Sequence, residues 1–198
     1  MKDIYIVFSS TNYNISKMIR LVTRYQYSHV SISLTEDLSE MYSFARIYQN
    51  TPFVGGFVKE IPSRYKDNNA IIRIYKYQIS DEKYFSIKEK IKKMYQNKEL
   101  YKYSYKNALL SVLNKNIETK NKYTCLSFVN EILGFTDYKI KDFEKHFSDV
   151  IYNGSFTNYI SNFHIDNFEE FTKLSLLERI KVFIRQFFRK NKKVEKMY

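Results

Sequence analysis

Large apolar side chains recur at every second position in several short runs within the first eighty residues. DIYIVF (residues 3–8) is rich in β-branched and aromatic residues, and SHVSISL (28–34) and AIIRIYKYQI (70–79) alternate in the same way. MYSFARIY (41–48) and FVKEI (57–61) lie between them. Because polar segments separate these runs, the pattern predicts a meander of four or more antiparallel strands.

Beyond Ser80 the apolar spacing changes from two to three or four residues. Ile87, Ile91 and Met94 share one face of a predicted helix. A second helix is predicted from residues that repeat the spacing, namely Tyr105, Ala108, Leu109, Val112 and Leu113. An earlier short helix is predicted from Ile15, Met18, Ile19 and Val22, and another over DFEKHF. Strands first and helices later is the order of an α+β fold.

The end of the chain predicts a basic amphipathic helix. Ser175 and Glu178 have the spacing of a capping box that opens it. Its apolar face would carry Leu177, Ile180, Ile184 and Phe187, and its basic face Lys181, Arg185, Arg189 and Lys192. We therefore divide the chain into a domain over residues 1–172 and a basic helix and tail over residues 173–198.

Net charge changes this picture only near the end of the chain. The formal charge is +12, and residues 173–198 hold nine Lys or Arg against two Glu. This segment has three interpretations: packing on its own domain, contact with an anionic membrane surface, or contact with nucleic acid, for which no reader motif is evident. No apolar run reaches the ~20 residues of a membrane span. We expect a cytoplasmic protein, with membrane association at most peripheral.

Cys125 is the one cysteine of the chain, so no intramolecular disulfide is expected, and no ligand spacing predicts a metal or other cofactor. It lies in NKYTCLSFVNEILG (121–134), where Thr124 is a candidate N-cap and Gly134 a candidate C-cap. Cys125 would then be the first residue of a helix. The free N–H groups and the dipole at such a position stabilise a thiolate.

A histidine near Cys125 would complete a thiolate–imidazolium pair. Of the three histidines, His29 is the best candidate, because its strand neighbours Ser31 and Ser33 are small and would leave room for a helix N-terminus. His146 lies among charged residues and His164 in an irregular segment, so we expect neither at the site.

The motifs YSHVSISL, MYSFAR and YTCLSFV resemble the circularly permuted papain-like cysteine peptidases and amidases of the NlpC superfamily. Cys125 of the last motif lies 96 residues after His29 of the first. The lecithin:retinol acyltransferase-like enzymes are relatives of that group. In the permuted branch the histidine strand precedes the cysteine helix, as His29 precedes Cys125. The resemblance, which covers residues 25–135, implies a small antiparallel sheet or half-barrel packed against helices.

The resemblance also implies a third residue that orients the imidazole from the following strand. Ser43 of MYSFAR matches that position, and Glu60 is the alternative. A serine would stabilise imidazolium less than a carboxylate. Tyr123 is expected either to line the site and donate to an oxyanion, or simply to pack.

These residues imply nucleophilic attack by Cys125 on an amide or ester, with proton transfer by His29, giving hydrolysis or acyl transfer. Two other functions stay open at this stage. One is a catalytically silent protein that binds a lipid, peptide or cell-wall fragment in the same cleft. The other is a peripheral membrane adaptor that uses the basic C-terminal helix.

Overall fold

The computed structural model describes residues 1–66, 69–110, 119–163 and 171–188. Several predicted positions lie outside it: residues Val112, Leu113, His164, Arg189 and Lys192, and the side chains of Ile15, Leu109 and Phe187. The described strands are β1 Lys2–Ser10, β2 His29–Ser33, β3 Met41–Arg46, β4 Gly55–Lys59, β5 Ile71–Ile79, β6 Lys102–Tyr103, β7 Lys122–Tyr123 and β8 Val150–Ser155. The described helices are α1 Asn14–Thr23, α2 Ser63–Lys66, α3 Asp81–Gln96, α4 Tyr105–Leu110, α5 Cys125–Leu133, α6 Ile140–Glu144, α7 Phe156–Ser161 and α8 Leu176–Phe188, with a 3₁₀ turn at Lys98–Leu100.

The eight strands form one sheet in the order β7-β6-β4-β3-β2-β1-β5-β8. Strands β1 to β4 make the predicted antiparallel meander, and β5 pairs antiparallel with the other side of β1. The α+β class is therefore confirmed.

The sheet differs from the small antiparallel sheet or half-barrel that the resemblance implies. Besides having eight strands, the sheet is mixed, because the two-residue strands β6 and β7 pair in parallel. Alternation cannot reveal strands of two residues. A parallel pair needs a crossover of a dozen or more residues, and the segment between β6 and β7, which includes α4, is long enough to provide it.

Both faces of the sheet are buried. On one face, Val30 and Ile32 of β2 pack in a core with α3, α5 and α6. On the other face, Val7 and Ile74 pack with Tyr65 of α2 and with α7. Helix α5 crosses β2 and β3 on the first face, which sets the cysteine helix against the histidine strand.

Gly55 lets β6 approach β4 closely. A Cβ built there would lie 2.8 Å from both the Tyr103 Cβ and the Tyr105 hydroxyl oxygen. No larger residue fits without moving the strand.

Helix α8 begins at the predicted capping box, in which the Ser175 N–H and hydroxyl donate to Glu178 Oε2 at 2.9 and 2.7 Å. The interpretation in which this helix buries its apolar face on its own domain is wrong. Leu176, Leu177, Ile180, Phe183 and Ile184 are between 47% and 71% exposed. No helix among the described residues combines the length and apolar character needed to cross a membrane.

Candidate active site

Thr124 is the N-cap of α5, as predicted, and Ser127 makes the capping reciprocal. The Ser127 N–H donates to Thr124 Oγ1 at 3.0 Å, and the Thr124 N–H donates to Ser127 Oγ at 2.8 Å. At the other end Gly134 adopts a left-handed conformation with φ 89°. Cys125 is therefore the first residue of the helix, next to its unpaired N–H groups.

Cys125 is 6% exposed and lies over the beginning of β2. Its sulfur lies near enough to the His29 imidazole and to the backbone N–H groups of Val30 and Leu126 for each to affect the pKa of the thiol. Burial alone would raise the pKa of the thiol, but the imidazole charge, the imidazole hydrogen bond and the two N–H donors together lower it. The arrangement favours a thiolate.

His29 is the first residue of β2, and its side chain is 21% exposed. Its Nε2 lies 2.8 Å from Glu60 Oε1 and 3.2 Å from Ser31 Oγ. Burial lowers the pKa of the imidazole, but Cys125 and then Glu60 outweigh that effect and raise the pKa to about 9. The two shifts together favour imidazolium beside thiolate.

Glu60 also determines which nitrogen of His29 faces the thiol. A carboxylate only accepts hydrogen bonds, so Nε2 carries a hydrogen in either charge state. Since Nε2 is held by Glu60, Nδ1 is the nitrogen left to exchange a proton with Cys125. The carboxylate thereby fixes both the tautomer and the ring orientation.

Glu60 is completely buried, one residue past the end of β4. Its Oε2 forms an ion pair with Arg64 Nε at 3.0 Å, and its Oε1 accepts from Ser43 Oγ as well as from His29. Burial would raise the pKa of the carboxyl, but Arg64, His29 and Ser43 together lower it to about 2. Glu60 is therefore a carboxylate at any physiological pH.

Of the two residues considered for orienting the imidazole, Glu60 contacts His29 directly and Ser43 does not. Ser43 instead donates to Glu60 from β3. The preference for Ser43 is thus corrected, and the physical reason is reach. The short Ser43 side chain reaches Glu60 Oε1, whereas the longer Glu60 side chain reaches the imidazole itself.

Ser31 and Ser33 do not have the predicted role beside His29. Residues paired across antiparallel strands share a face, and Ser31 pairs with Val7 of the second core. Ser31 and Ser33 therefore lie on the face opposite α5 and do not make room for it. Cys125 and His29 meet instead at the first residue of β2.

Tyr103 and Tyr123 are two of the eight tyrosines that line the cleft with Cys125. The Tyr123 hydroxyl is hydrogen-bonded to Glu131, and its ring packs 4.9 Å from that of Phe44. Tyr123 therefore lines the cleft, but its hydroxyl is engaged elsewhere. Tyr103 was not identified from the sequence: burial, and then the nearby Cys125, raise the pKa of its phenol. As one of 19 tyrosines, it carried no signal that singled it out.

His146 lies away from this cluster. Its Nε2 is 2.8 Å from Asp137 Oδ2, and its ring stacks on Phe135 at 4.1 Å. The imidazole is therefore held in a local contact on the helical side of the molecule.

Cys125 lines a cleft of about 1550 Å³. Met18, Ile19 and Val22 of α1 form one wall, and Tyr103 and Phe53 lie on another. Several lysines add positive charge around it: Lys120, Lys122, Lys139, Lys141 and Lys145. No group of three or more His, Cys, Asp or Glu side chains suited to a metal ion occurs in the described part of the chain.

Comparison with protein-family models, curated proteins and solved structures finds no match to this chain. The geometry of the site itself is therefore the basis for its chemistry.

Proposed function

We propose that this chain is a thiol-dependent hydrolase or acyltransferase of permuted papain-like fold that acts on an amide or ester bond. One observation carries the proposal. A buried cysteine at a capped helix N-terminus interacts with an imidazole whose other nitrogen is held by a buried, ion-paired carboxylate. Such an arrangement activates a nucleophile and keeps its base correctly oriented.

In the proposed reaction the Cys125 thiolate attacks the acyl carbon, and the carbonyl π electrons move to the oxygen. His29 Nδ1–H then protonates the leaving amine or alkoxide as its bond to carbon breaks, which leaves a thioester. Water, an alcohol or an amine attacks the thioester while neutral Nδ1 takes the proton, and the thiolate leaves. Glu60 stays ionised throughout and stabilises the imidazolium.

Two groups are placed to stabilise the oxyanion. The Cys125 N–H, at the positive end of the α5 dipole, has no acceptor among the described residues. The Tyr103 phenol, whose pKa responds to Cys125, is the second donor we propose.

The alternative of a catalytically silent cleft depended on a serine as the partner of the imidazole. With Glu60 in contact with His29, that reason no longer applies. An enzymatic role is therefore the better supported of the two.

The decisive experiment is the rate of Cys125 alkylation by iodoacetamide as a function of pH, in the wild type and in His29→Gln. We expect a thiol pKa below that of a free cysteine in the wild type, and a rise toward or above the free value in the variant. His146→Gln is the matched control and should leave the profile unchanged. A thiol that reacts only after unfolding, or that is indifferent to His29, would overturn the proposal.

A further inference from the structure

Helix α8 holds a continuous apolar stripe away from the domain. Leu176, Ile180, Phe183 and Ile184 follow the helical repeat, and each is at least 47% exposed. Isolated exposed apolar residues are ordinary, but a contiguous stripe marks a surface that binds something.

The stripe cannot turn inward, because the opposite side of α8 is fixed to the body. Gln186 Nε2 donates to the Gly55 carbonyl at 3.2 Å, and Lys102 Nζ approaches the Gln186 carbonyl at 3.4 Å. The segment before the helix is held by a reciprocal pair in which Asn50 bonds both the N–H and the carbonyl of Leu174, at 3.0 and 2.7 Å. These contacts thus hold α8 in the orientation that exposes the apolar stripe.

Helix α1 presents a second surface of the same kind at the cleft. Met18, Leu21 and Val22 are 57%, 80% and 52% exposed. Met18 and Val22 also line the cleft that holds Cys125. The apolar face of α1 therefore extends the wall of the cleft out into solvent.

Residues that precede α1 and α8 both contact the side chain of Arg46. The Arg46 guanidinium lies 3.9 Å from the centre of the Tyr13 ring, just before α1, and 6.0 Å from that of Phe171, which precedes α8. Phe53, 61% exposed and also lining the cleft, comes from the loop between β3 and β4. Phe53 and α1 thus contribute exposed apolar side chains to the same cleft, and the segments that lead into α1 and α8 meet at Arg46.

Positive charge flanks both apolar faces. Arg179, Lys181 and Arg185 are exposed along α8, and Lys17 and Arg24 are exposed on and just after α1. The one acidic residue of α8, Glu178, is engaged by Ser175. Aliphatic stripes with cationic borders match the acyl and phosphate layers of an anionic bilayer. A nucleic acid would match the charges but not the aliphatic side chains.

We propose that α1 and α8 dock this protein on the surface of an anionic lipid bilayer, with the mouth of the Cys125 cleft turned toward the lipid. The docking stands on its own observations. Only its consequence, that acyl groups reach Cys125 from the bilayer, rests on the proposed function.

The test is sedimentation of the full-length protein carrying Cys125→Ala with phosphatidylcholine vesicles and with mixed phosphatidylcholine–phosphatidylglycerol vesicles. We expect binding to the anionic vesicles, little to the neutral ones, and weakening as salt is raised. The double variants Ile180→Ser with Phe183→Ser, and Met18→Ser with Leu21→Ser, should each lower binding about tenfold or more. Phe85→Ser on α3, at a side chain 57% exposed and outside both surfaces, should bind as before.

Three outcomes would overturn the proposal: no preference for anionic vesicles, an equal loss in the Phe85 variant, or a loss confined to the α8 variant. Tighter binding to duplex DNA that survives the serine substitutions would assign the surface to nucleic acid instead. Because the Cys125→Ala protein is used, a failure here leaves the proposed thiol chemistry untouched. Equally, an unreactive thiol in the alkylation experiment leaves the docking result standing.

Discussion

The carboxylate of Glu60 touches His29, Ser43 and Arg64 at once, so substitutions around it should have unequal effects. Removing the carboxylate takes away the negative charge that stabilises the imidazolium. Removing the Ser43 hydroxyl takes away only one hydrogen bond to Glu60, which Arg64 still holds by an ion pair. Charge-assisted hydrogen bonds are roughly twice as strong as neutral ones.

We therefore predict that Glu60→Gln slows alkylation of Cys125 at pH 6 by about tenfold, because a less stable imidazolium raises the pKa of the thiol. Ser43→Ala should change the rate far less. Both variants are measured against the wild type in the folded protein, with circular dichroism to verify the fold. Equal effects of the two substitutions would mean that Glu60 has no special role beside His29.

At the scale of the element, α5 begins with an N-cap of a kind that α3 shares. Ser80 caps α3 by accepting from the Lys83 N–H at 3.1 Å, much as Thr124 caps α5 by accepting from Ser127. The two caps thus form a matched pair, of which only one lies beside the cysteine.

Loss of an N-cap hydroxyl should destabilise the protein by about 1 kcal/mol in either Thr124→Ala or Ser80→Ala. Thr124→Ala alone should also shift the alkylation profile of Cys125 to higher pH, because it loosens the N–H groups that stabilise the thiolate. Urea denaturation gives the stabilities, and iodoacetamide kinetics give the profile. If the Ser80 variant shifts the profile as much, the capping of α5 is not what supports the thiolate.

At the scale of the whole molecule, the buried cluster of Glu60 and Arg64 links stability to acid. The pKa of Glu60 is about 2 in the folded protein, below its ordinary value of 4.5. A depressed carboxyl pKa contributes stability that is fully present above pH 4.5 and is lost as the pH falls through about 2.

We predict that the wild type is more stable than Glu60→Gln at pH 7, where the variant leaves Arg64 buried beside an uncharged amide. The difference in unfolding free energy should narrow steadily below pH 4.5, as the wild-type carboxyl takes up its proton. Urea midpoints measured from pH 7 downward provide the comparison. A difference that stays constant down to the acid transition would contradict the linkage.

Local features of this protein were predictable because their contacts span only a few residues. The caps at Thr124 and Gly134, the box of Ser175 with Glu178, and the alternating strands all follow from hydrogen bonds or side-chain periods within one turn or one strand. Placing Cys125 at the start of a helix and His29 at the start of a strand therefore needed no tertiary information.

The contact between Cys125 and His29 could not be predicted in this way, because no short segment determines the register of strands that are joined by loops. The tertiary structure decided that Glu60, rather than Ser43, holds His29, because strand pairing brings both side chains near the imidazole and the longer one contacts it. It also decided the parallel pairing of β6 with β7, which brings Tyr103 beside Cys125.

The amphipathic pattern of residues 176–188 shows the same division. The sequence by itself determined that this segment forms a helix with one apolar side, because the spacing of three and four residues fixes which side chains share a face. Which side meets the domain depends on partners far away in the chain, Gly55 and Lys102, and these turn the apolar side outward. Local spacing thus determined the elements, and only long-range contacts decided the site and the exposed surface.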